Sequence, residues 1–381
     1  MKITLTSPKI DRLTNCITRI LATPTPTIRE IAQIIGYIVS SFPAVQYGKC
    51  HYRAVERDKI NALKTARGNF DSKMCLSSSA IEDLQWWLIN LPQCFNVIGH
   101  LAIDLTIYTD ASLSGWGAAM GEAATGGHWT VNERKYHINY LELLAAYFGL
   151  TSFSKQVLGK QVKLMIDNTT AVSIINNMGT CHSDPCNDIT RTIWAFCESN
   201  NIWITAAHIP GVLNVTADFE SRRQNIDTEW MLNSKTLCEV LTKLNVLPTI
   251  DLFASRLNKQ FDKYISYRQD PYATDIDAFT ISWQNILFYC FPPFNCVLRV
   301  IQKIIQDKAQ GILVVPDWPS QSWYPMLLGI LKEATQIQPA PDPLVIPAQP
   351  GLTHPLHKKL RLLICHVSGE AYYLRDLPQA Q

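Results

Sequence analysis

Apolar residues recur at helical spacing near the start of the chain: over residues 27–41, Ile28, Ile31, Ala32, Ile35 and Ile38 share one face behind a Thr/Pro-rich opening. That pattern predicts an amphipathic helix, and a second is predicted over 79–91, carrying Trp86 and Trp87. Near residue 103 the period changes. Residues 103–109 read as an extended run, 115–121 as its hairpin partner across Leu113 and Ser114, and 126–131 as a third strand. A helix over 139–157, a strand over 162–166, helices near 169–178 and 188–200, a strand over 202–207 and a helix after the Gly211 loop complete the series. Parallel pairs need helical crossovers and hairpins do not, so this order predicts an α/β fold with a mixed five-stranded sheet covered by helices.

After Arg223 a second α/β unit is predicted from strand-like runs at 249–253, 287–291 and 311–316. Beyond residue 335, Pro339, Pro341, Pro343, Pro347, Pro350 and Pro355 disfavour helix and central strand, which predicts an extended tail. The expected organisation is a helical region over 1–98, the mixed-sheet domain over 99–224, a second α/β domain over 225–335 and a Pro-rich tail over 336–381.

Composition narrows the function classes. At 381 residues with 47% hydrophobic and 17% charged side chains, the chain can bury more than one core and is too apolar for disorder. A formal net charge of +2 makes overall attraction to a polyanion negligible, so any nucleic-acid face must be a local patch. Arg134, Lys135, Arg191, Arg222 and Arg223 are candidates for one. Eleven Cys without a regular framework, and an N-terminus lacking a long apolar run, predict a reducing intracellular compartment, cytoplasm or nucleus left open. No apolar run reaches the roughly 20 residues of a membrane span, so a soluble protein without a membrane partner is expected.

Four acids carry the chemistry. Asp110, in Tyr108-Thr109-Asp110-Ala111-Ser112, and Asp167, in Met165-Ile166-Asp167-Asn168, emerge at strand ends and become neighbours if the strands are parallel. Glu142 lies in the first turns of the helix beginning near 139, and Asp218 opens the helix after the Gly211 loop, where the positive helix end suits a carboxylate. Any one of these acids alone reads as a helix cap or a solvated surface group; the ordered set converges on one sheet edge. Clustered carboxylates repel one another, and oxygen-only ligands favour Mg²⁺ or Mn²⁺ over zinc as the compensating cation. Two such ions roughly 4 Å apart suit in-line phosphodiester hydrolysis. Cys181, His182 and Cys186 hint at zinc, but no second pair stands at a matching spacing and Pro185 interrupts them.

The segments YTDAS followed by GWG, NYLELLA, MIDN and HIPGVLNVTADFESR, in that order, resemble the ribonuclease H family over about residues 105–223. The resemblance implies a metal-dependent endoribonuclease that cuts the RNA strand of an RNA/DNA hybrid. Asp110, Glu142, Asp167 and Asp218 would hold two Mg²⁺ ions, Mn²⁺ being an alternative, and His208 would help protonate or release product. A strand-end histidine satisfied by backbone is the other reading of His208. Ser112, Asn168, Thr169 and Asn214 are expected to bind substrate at phosphate or 2′-hydroxyl; for Ser112, Asn168 and Thr169, capping of adjacent helices explains their places equally well.

The flanks carry weaker likenesses. TIREIAQIIGY over 27–37 and Leu84-Gln85-Trp86-Trp87 resemble the thumb and connection of retroelement reverse transcriptases, yet no Tyr-x-Asp-Asp segment exists, so polymerisation would need a palm and fingers module in the same polyprotein or in trans. Ile250-Asp251-Leu252-Phe253-Ala254-Ser255, Asp277-Ala278-Phe279 and Phe291-Pro292-Pro293-Phe294 are similar to the region following ribonuclease H in DIRS-type retroelements, itself like a phage-type DNA adenine methyltransferase. In active methyltransferases Asp or Asn stands where this chain has Phe291, which lacks an acceptor, and Ala254-Ser255-Arg256 replaces a glycine-rich turn; methyl transfer is expected to be lost. Trp318, Trp323 and Tyr324 read either as stacking platforms for bases or as core. The competing functional readings are a catalytically silent nucleic-acid-binding scaffold and an adenine methyltransferase-related protein.

Overall fold

A four-helix N-terminal unit opens the fold: α1 (Ser7–Leu21), α2 (Ile28–Ser41), α3 (Arg53–Thr65) and α4 (Ser78–Asn90). The structure is a computed structural model and describes residues 2–97, 102–223, 229–338 and 343–370. A capping box starts α2: Thr27 Oγ1 accepts from Glu30 N at 3.2 Å and Glu30 Oε2 accepts from Thr27 N at 2.9 Å. The isoleucines read from the sequence are buried on its inner face, and Trp87 on α4 is fully buried with its indole N–H on the His51 carbonyl at 2.7 Å.

The predicted mixed sheet follows. Strands β1 (Leu105–Ala111), β2 (Gly115–Met120) and β3 (Ala123–His128) form an antiparallel meander. Helix α5 (Ile138–Ser152) then crosses to β4 (Gln161–Ile166), which pairs parallel with β1. Helices α6 (Thr169–Asn176) and α7 (Asp184–Ser199) lead to β5 (Trp203–His208), parallel to β4, and α8 (Val215–Arg222) ends the unit. The five strands lie in the order β3-β2-β1-β4-β5. Gly149 of α5 sits against Thr109 and Ala118, whereas Gly117 faces the backbone of α8. Because neighbouring strand residues point to opposite faces, the two helices cover opposite sides of the sheet.

A second mixed sheet lies further on. It uses β6 (Ile250–Asp251), β7 (Leu287–Cys290), β8 (Gln310–Pro316), β9 (Leu331–Ile337) and β10 (Leu362–Ser368), in the order β9-β10-β8-β7-β6. Helices α9 (Ser234–Leu244), α10 (Val297–Gln306) and α11 (Tyr324–Ile330) accompany it. Here the structure corrects the sequence reading of an extended tail beyond 335: β10 pairs antiparallel with both β8 and β9 in the middle of the sheet. The described prolines of that stretch all precede residue 356, and the run Leu362-Leu363-Ile364-Cys365-His366-Val367 is free to fill a central position. Pro339 and Pro341 lie outside the described residues. Trp323 is core, and Trp318 packs edge-on to Phe294, so both serve packing as the alternative reading had it.

Candidate active site

In the β1–β4 pair Thr109 stands opposite Ile166, so Asp110 and Asp167 leave adjacent strands at the same sheet edge. Glu142 reaches them from α5, whose first turn is capped by His137 Nδ1 accepting from Asn139 N at 3.1 Å. One carboxylate oxygen from each of Asp110, Glu142 and Asp167 lies within 4.8 Å of the others. Asp110 and Glu142 are buried, with 3% and 4% exposure, while Asp167 is half-buried.

Asp218 stands apart from this group, its carboxylate taken by Arg222 Nε at 2.6 Å one helical turn on. Its charge still reaches Asp110. Burial first, then the neighbouring Asp167 and Asp218, push the Asp110 carboxyl upward, against a 2.5 Å hydrogen bond donated by Ser221 Oγ to Asp110 Oδ2. Burial, then Asp110 and Asp167, push Glu142 up to about 9, opposed by the Ala111 backbone N–H. Glu142 Oε2 is buried, with no hydrogen-bond partner among the described residues. Such an oxygen is costly unless something positive faces it. The donor set is all oxygen, partly buried and electron-rich, which fits a hard divalent cation. Among the described residues it is the one acid, His and Cys cluster of this kind.

The neighbouring residues divide. His208 ends β5, exposed and in register with Ile166, one residue from Asp167. The following loop returns to the same carboxylate: a Cβ at Gly211 would stand 3.2 Å from Asp167 Oδ2. Thr169 is exposed at the start of α6. Asn168 caps α6, Oδ1 accepting from Ala171 N and Nδ2 donating to Asn139 Oδ1, both at 2.9 Å. Ser112 is turned inward, donating to the Ser221 carbonyl at 2.7 Å and accepting from Gly115 N at 3.0 Å. Asn214 is buried, and its Nδ2 donates to the Thr109 carbonyl at 2.9 Å. Ser112, Asn168 and Asn214 are thus engaged with the protein itself.

Several basic residues expected to meet nucleic acid are engaged too. Arg191 pairs with Asp83 of α4 at 3.3 Å, Arg223 with Glu220 at 3.2 Å, and Lys135 Nζ donates to Asn132 Oδ1 at 2.9 Å. Sequence reading missed Ser221, the hydroxyl on Asp110, which follows Glu220 in the FESR segment and carries no signal apart from its place in that motif. All cysteines are free, Cys181 and Cys186 included.

In the second sheet, Asp251 is fully buried and accepts from Phe253 N at 3.2 Å and Gln260 N at 3.1 Å. Arg256 reaches the central domain: its guanidinium binds Glu133 at 2.8 and 3.1 Å and the His128 carbonyl at 2.9 Å. No described helix is long and apolar enough to cross a membrane.

Comparison with protein families matches residues 102–191 to the RNase H-like domain found in reverse transcriptase. Comparison with curated proteins returned no match. Among solved structures, LC11-RNase H1 in complex with RNA/DNA hybrid is similar at 17% identity and TM-score 0.24, covering 30% of this chain and 91% of that one. RNase H1 from the halophilic archaeon Halobacterium salinarum is similar at 18% identity and TM-score 0.23, covering 30% and 91%. The foamy viral protease-reverse transcriptase in complex with RNA/DNA hybrid is similar at 15% identity and TM-score 0.24, covering 60% of this chain and 31% of that one.

Proposed function

We propose that this chain cuts the RNA strand of RNA/DNA hybrids by metal-dependent phosphodiester hydrolysis. The observation that carries the reading is the group of Asp110, Glu142 and Asp167, with a buried Glu142 oxygen that has no partner among the described residues. The family match over residues 102–191 supports it. Asp110, Glu142 and Asp167 would hold the cation, and Asp218 would join them on leaving Arg222. Two Mg²⁺ ions, or Mn²⁺, would supply water activation and stabilisation of the leaving 3′ oxygen. His208, exposed at the end of β5, would hand a proton to that oxygen, and the exposed Thr169 hydroxyl would meet the ribose 2′-hydroxyl. Ser112, Asn168 and Asn214 then serve the substrate indirectly, by holding the loops and strand ends that carry the acids.

In the same reading the chain is the terminal part of a DIRS-type retroelement reverse transcriptase working inside the cell. A palm and fingers module comes from the same polyprotein or from a second chain, and the C-terminal unit is a degenerate adenine methyltransferase fold. The domain limits given from the sequence stand as part of that proposal, with the C-terminal unit extended to include β10.

The test is cleavage of a labelled RNA/DNA hybrid with Mg²⁺, comparing wild type with Asp110→Asn and using duplex RNA as control. Hybrid-specific cutting that disappears in the variant establishes the nuclease. Folded protein that binds hybrid and leaves it intact establishes the silent scaffold instead.

A further inference from the structure

Helix α8 carries both Asp218 and Ser221, and the C-terminal unit grips it. Arg268 Nη1 pairs with Glu220 Oε2 at 2.7 Å, and Arg268 Nη2 donates to the Gly126 carbonyl at 2.7 Å. Glu220 is 7% exposed, and its other oxygen takes Arg223 Nη1 at 3.2 Å. Beside this contact Thr125 Oγ1 donates to the Gln269 carbonyl. One residue beyond Glu220, Ser221 Oγ donates to Asp110 Oδ2 at 2.5 Å, and the Ser221 carbonyl accepts from Ser112 at 2.7 Å.

The packing beneath makes these contacts stiff. A Cβ at Gly117 would stand 2.1 Å from the Ala217 carbonyl oxygen, and one at Gly126 would stand 2.9 Å from that of Glu220. The helix backbone therefore rests on the sheet with no side-chain layer between them. A short helix held this closely has few ways to absorb a shift at one residue without passing it to the next.

We propose that Arg268 is a positioning residue for the acid group, acting through Glu220 and Ser221 on Asp110, so that the C-terminal unit sets the cation affinity and turnover of the central domain. The inference rests on the nuclease reading above. Glu220 is a buried carboxylate that stays in place only while its cationic partners do. Without Arg268 it turns toward water, drawing the last turn of α8 with it and loosening the Ser221 bond. A planar guanidinium spans Glu220 and the Gly126 carbonyl together, whereas a lysine ammonium restores charge without that fork.

The experiment uses the full chain with Arg268→Ala, Arg268→Lys, Ser221→Ala and the Arg268→Ala/Ser221→Ala double variant. Mn²⁺ affinity by calorimetry, hybrid cleavage rates and thermal unfolding are read for each. Groups supporting metal ligands typically change affinity about 10- to 100-fold, so Arg268→Ala should weaken Mn²⁺ binding about tenfold and lower kcat about tenfold. KM for the hybrid should stay within about twofold, and Arg268→Lys, which also covers a poorly folding alanine variant, should recover part of the loss by restoring the charge without the fork. The double variant should be no worse than the poorer single variant, because both changes break one chain of contacts. Additive losses, or a lowered melting temperature with Mn²⁺ affinity and kcat unchanged, overturn the positioning role. Wild-type protein that neither binds Mn²⁺ nor cuts hybrid overturns the nuclease reading itself, a result separable from the former because it precedes any variant.

Discussion

Arg191 Nη2 lies 3.3 Å from Asp83 Oδ1, and this ion pair fastens α7 of the central domain to α4 of the helical unit. Asp83 has no exposed side-chain surface, and its other oxygen accepts from Ala54 N at 3.2 Å. Burial pushes its carboxyl up to about 7 despite the pull of Arg191. The folded protein therefore holds that proton more tightly than the unfolded chain does, where the carboxyl titrates near its ordinary value of about 4. Stability from this group is full below that value and declines as pH rises towards 7. Asp83→Asn should flatten the decline: urea midpoints of wild type and variant, compared between pH 5 and pH 8, should show the steeper fall in wild type. Equal slopes would remove Asp83 as the titrating group.

Breaking the same pair from the other side should cost more at high pH than at low, whereas a loss of packing would cost the same at both. Arg191→Met leaves Asp83 buried without its cation, which costs about 3–5 kcal/mol when the carboxylate is charged. At pH 5 the carboxyl takes up a proton and the cost shrinks. Chemical denaturation at pH 5 and pH 8 measures the difference, and a penalty that is the same at both would show Arg191 acting by packing alone.

The acids were legible in the sequence because each sits where a period changes: Asp110 and Asp167 at strand ends, Glu142 in the opening turns of a helix. Parallel pairing of β1 and β4 then makes neighbours of the first two. What the sequence hid depends on distant partners. Arg268 and Glu220 meet across 48 positions, and nothing local distinguishes Arg268 from a solvated arginine. Ser112 and Asn168, by contrast, take the local roles the sequence offered beside substrate binding: Ser112 closes a turn and Asn168 caps a helix. Strand β10 was hidden by the prolines before it, although Leu362 to Val367 is itself an apolar, β-favouring run.

Gly117→Ala tests the direct seating of α8 on the sheet. The added methyl group would meet the Ala217 carbonyl oxygen at 2.1 Å and Ser221 N at 2.6 Å, both backbone atoms that cannot rotate aside. Overpacking of this sort costs about 1–3 kcal/mol or more. The variant should unfold at lower urea and bind Mn²⁺ less tightly, since the shifted helix carries Ser221. Unchanged stability would mean that α8 is free to lift from the sheet.

Asn214→Ala removes the donor to the Thr109 carbonyl next to Asp110, within a wall that water does not reach. An unsatisfied buried partner costs about 1–3 kcal/mol, and urea unfolding should show a loss in that range. Cleavage should fall through kcat more than KM, because the residue touches the strand that presents Asp110 and not the substrate. A rise in KM at constant kcat would return Asn214 to the substrate-binding role read from the sequence.

Glu142→Gln separates stability from function. In wild type the buried Glu142 carboxyl is driven up to about 9 by its surroundings and by Asp110 and Asp167, so three acids are held together at a cost to the fold. The amide keeps an acceptor for the Ala111 N–H and adds a donor that can face the neighbouring carboxylates. In chelator the variant should therefore melt at a higher temperature than wild type, as expected where a site is built against stability. Added Mn²⁺ reverses the order: wild type gains about 2.7 kcal/mol when the ion is at 100 times its dissociation constant, and the variant gains far less. Scanning calorimetry with chelator and with Mn²⁺ reads both effects, and a variant that gains as much from the ion as wild type would exclude Glu142 from the ligand set.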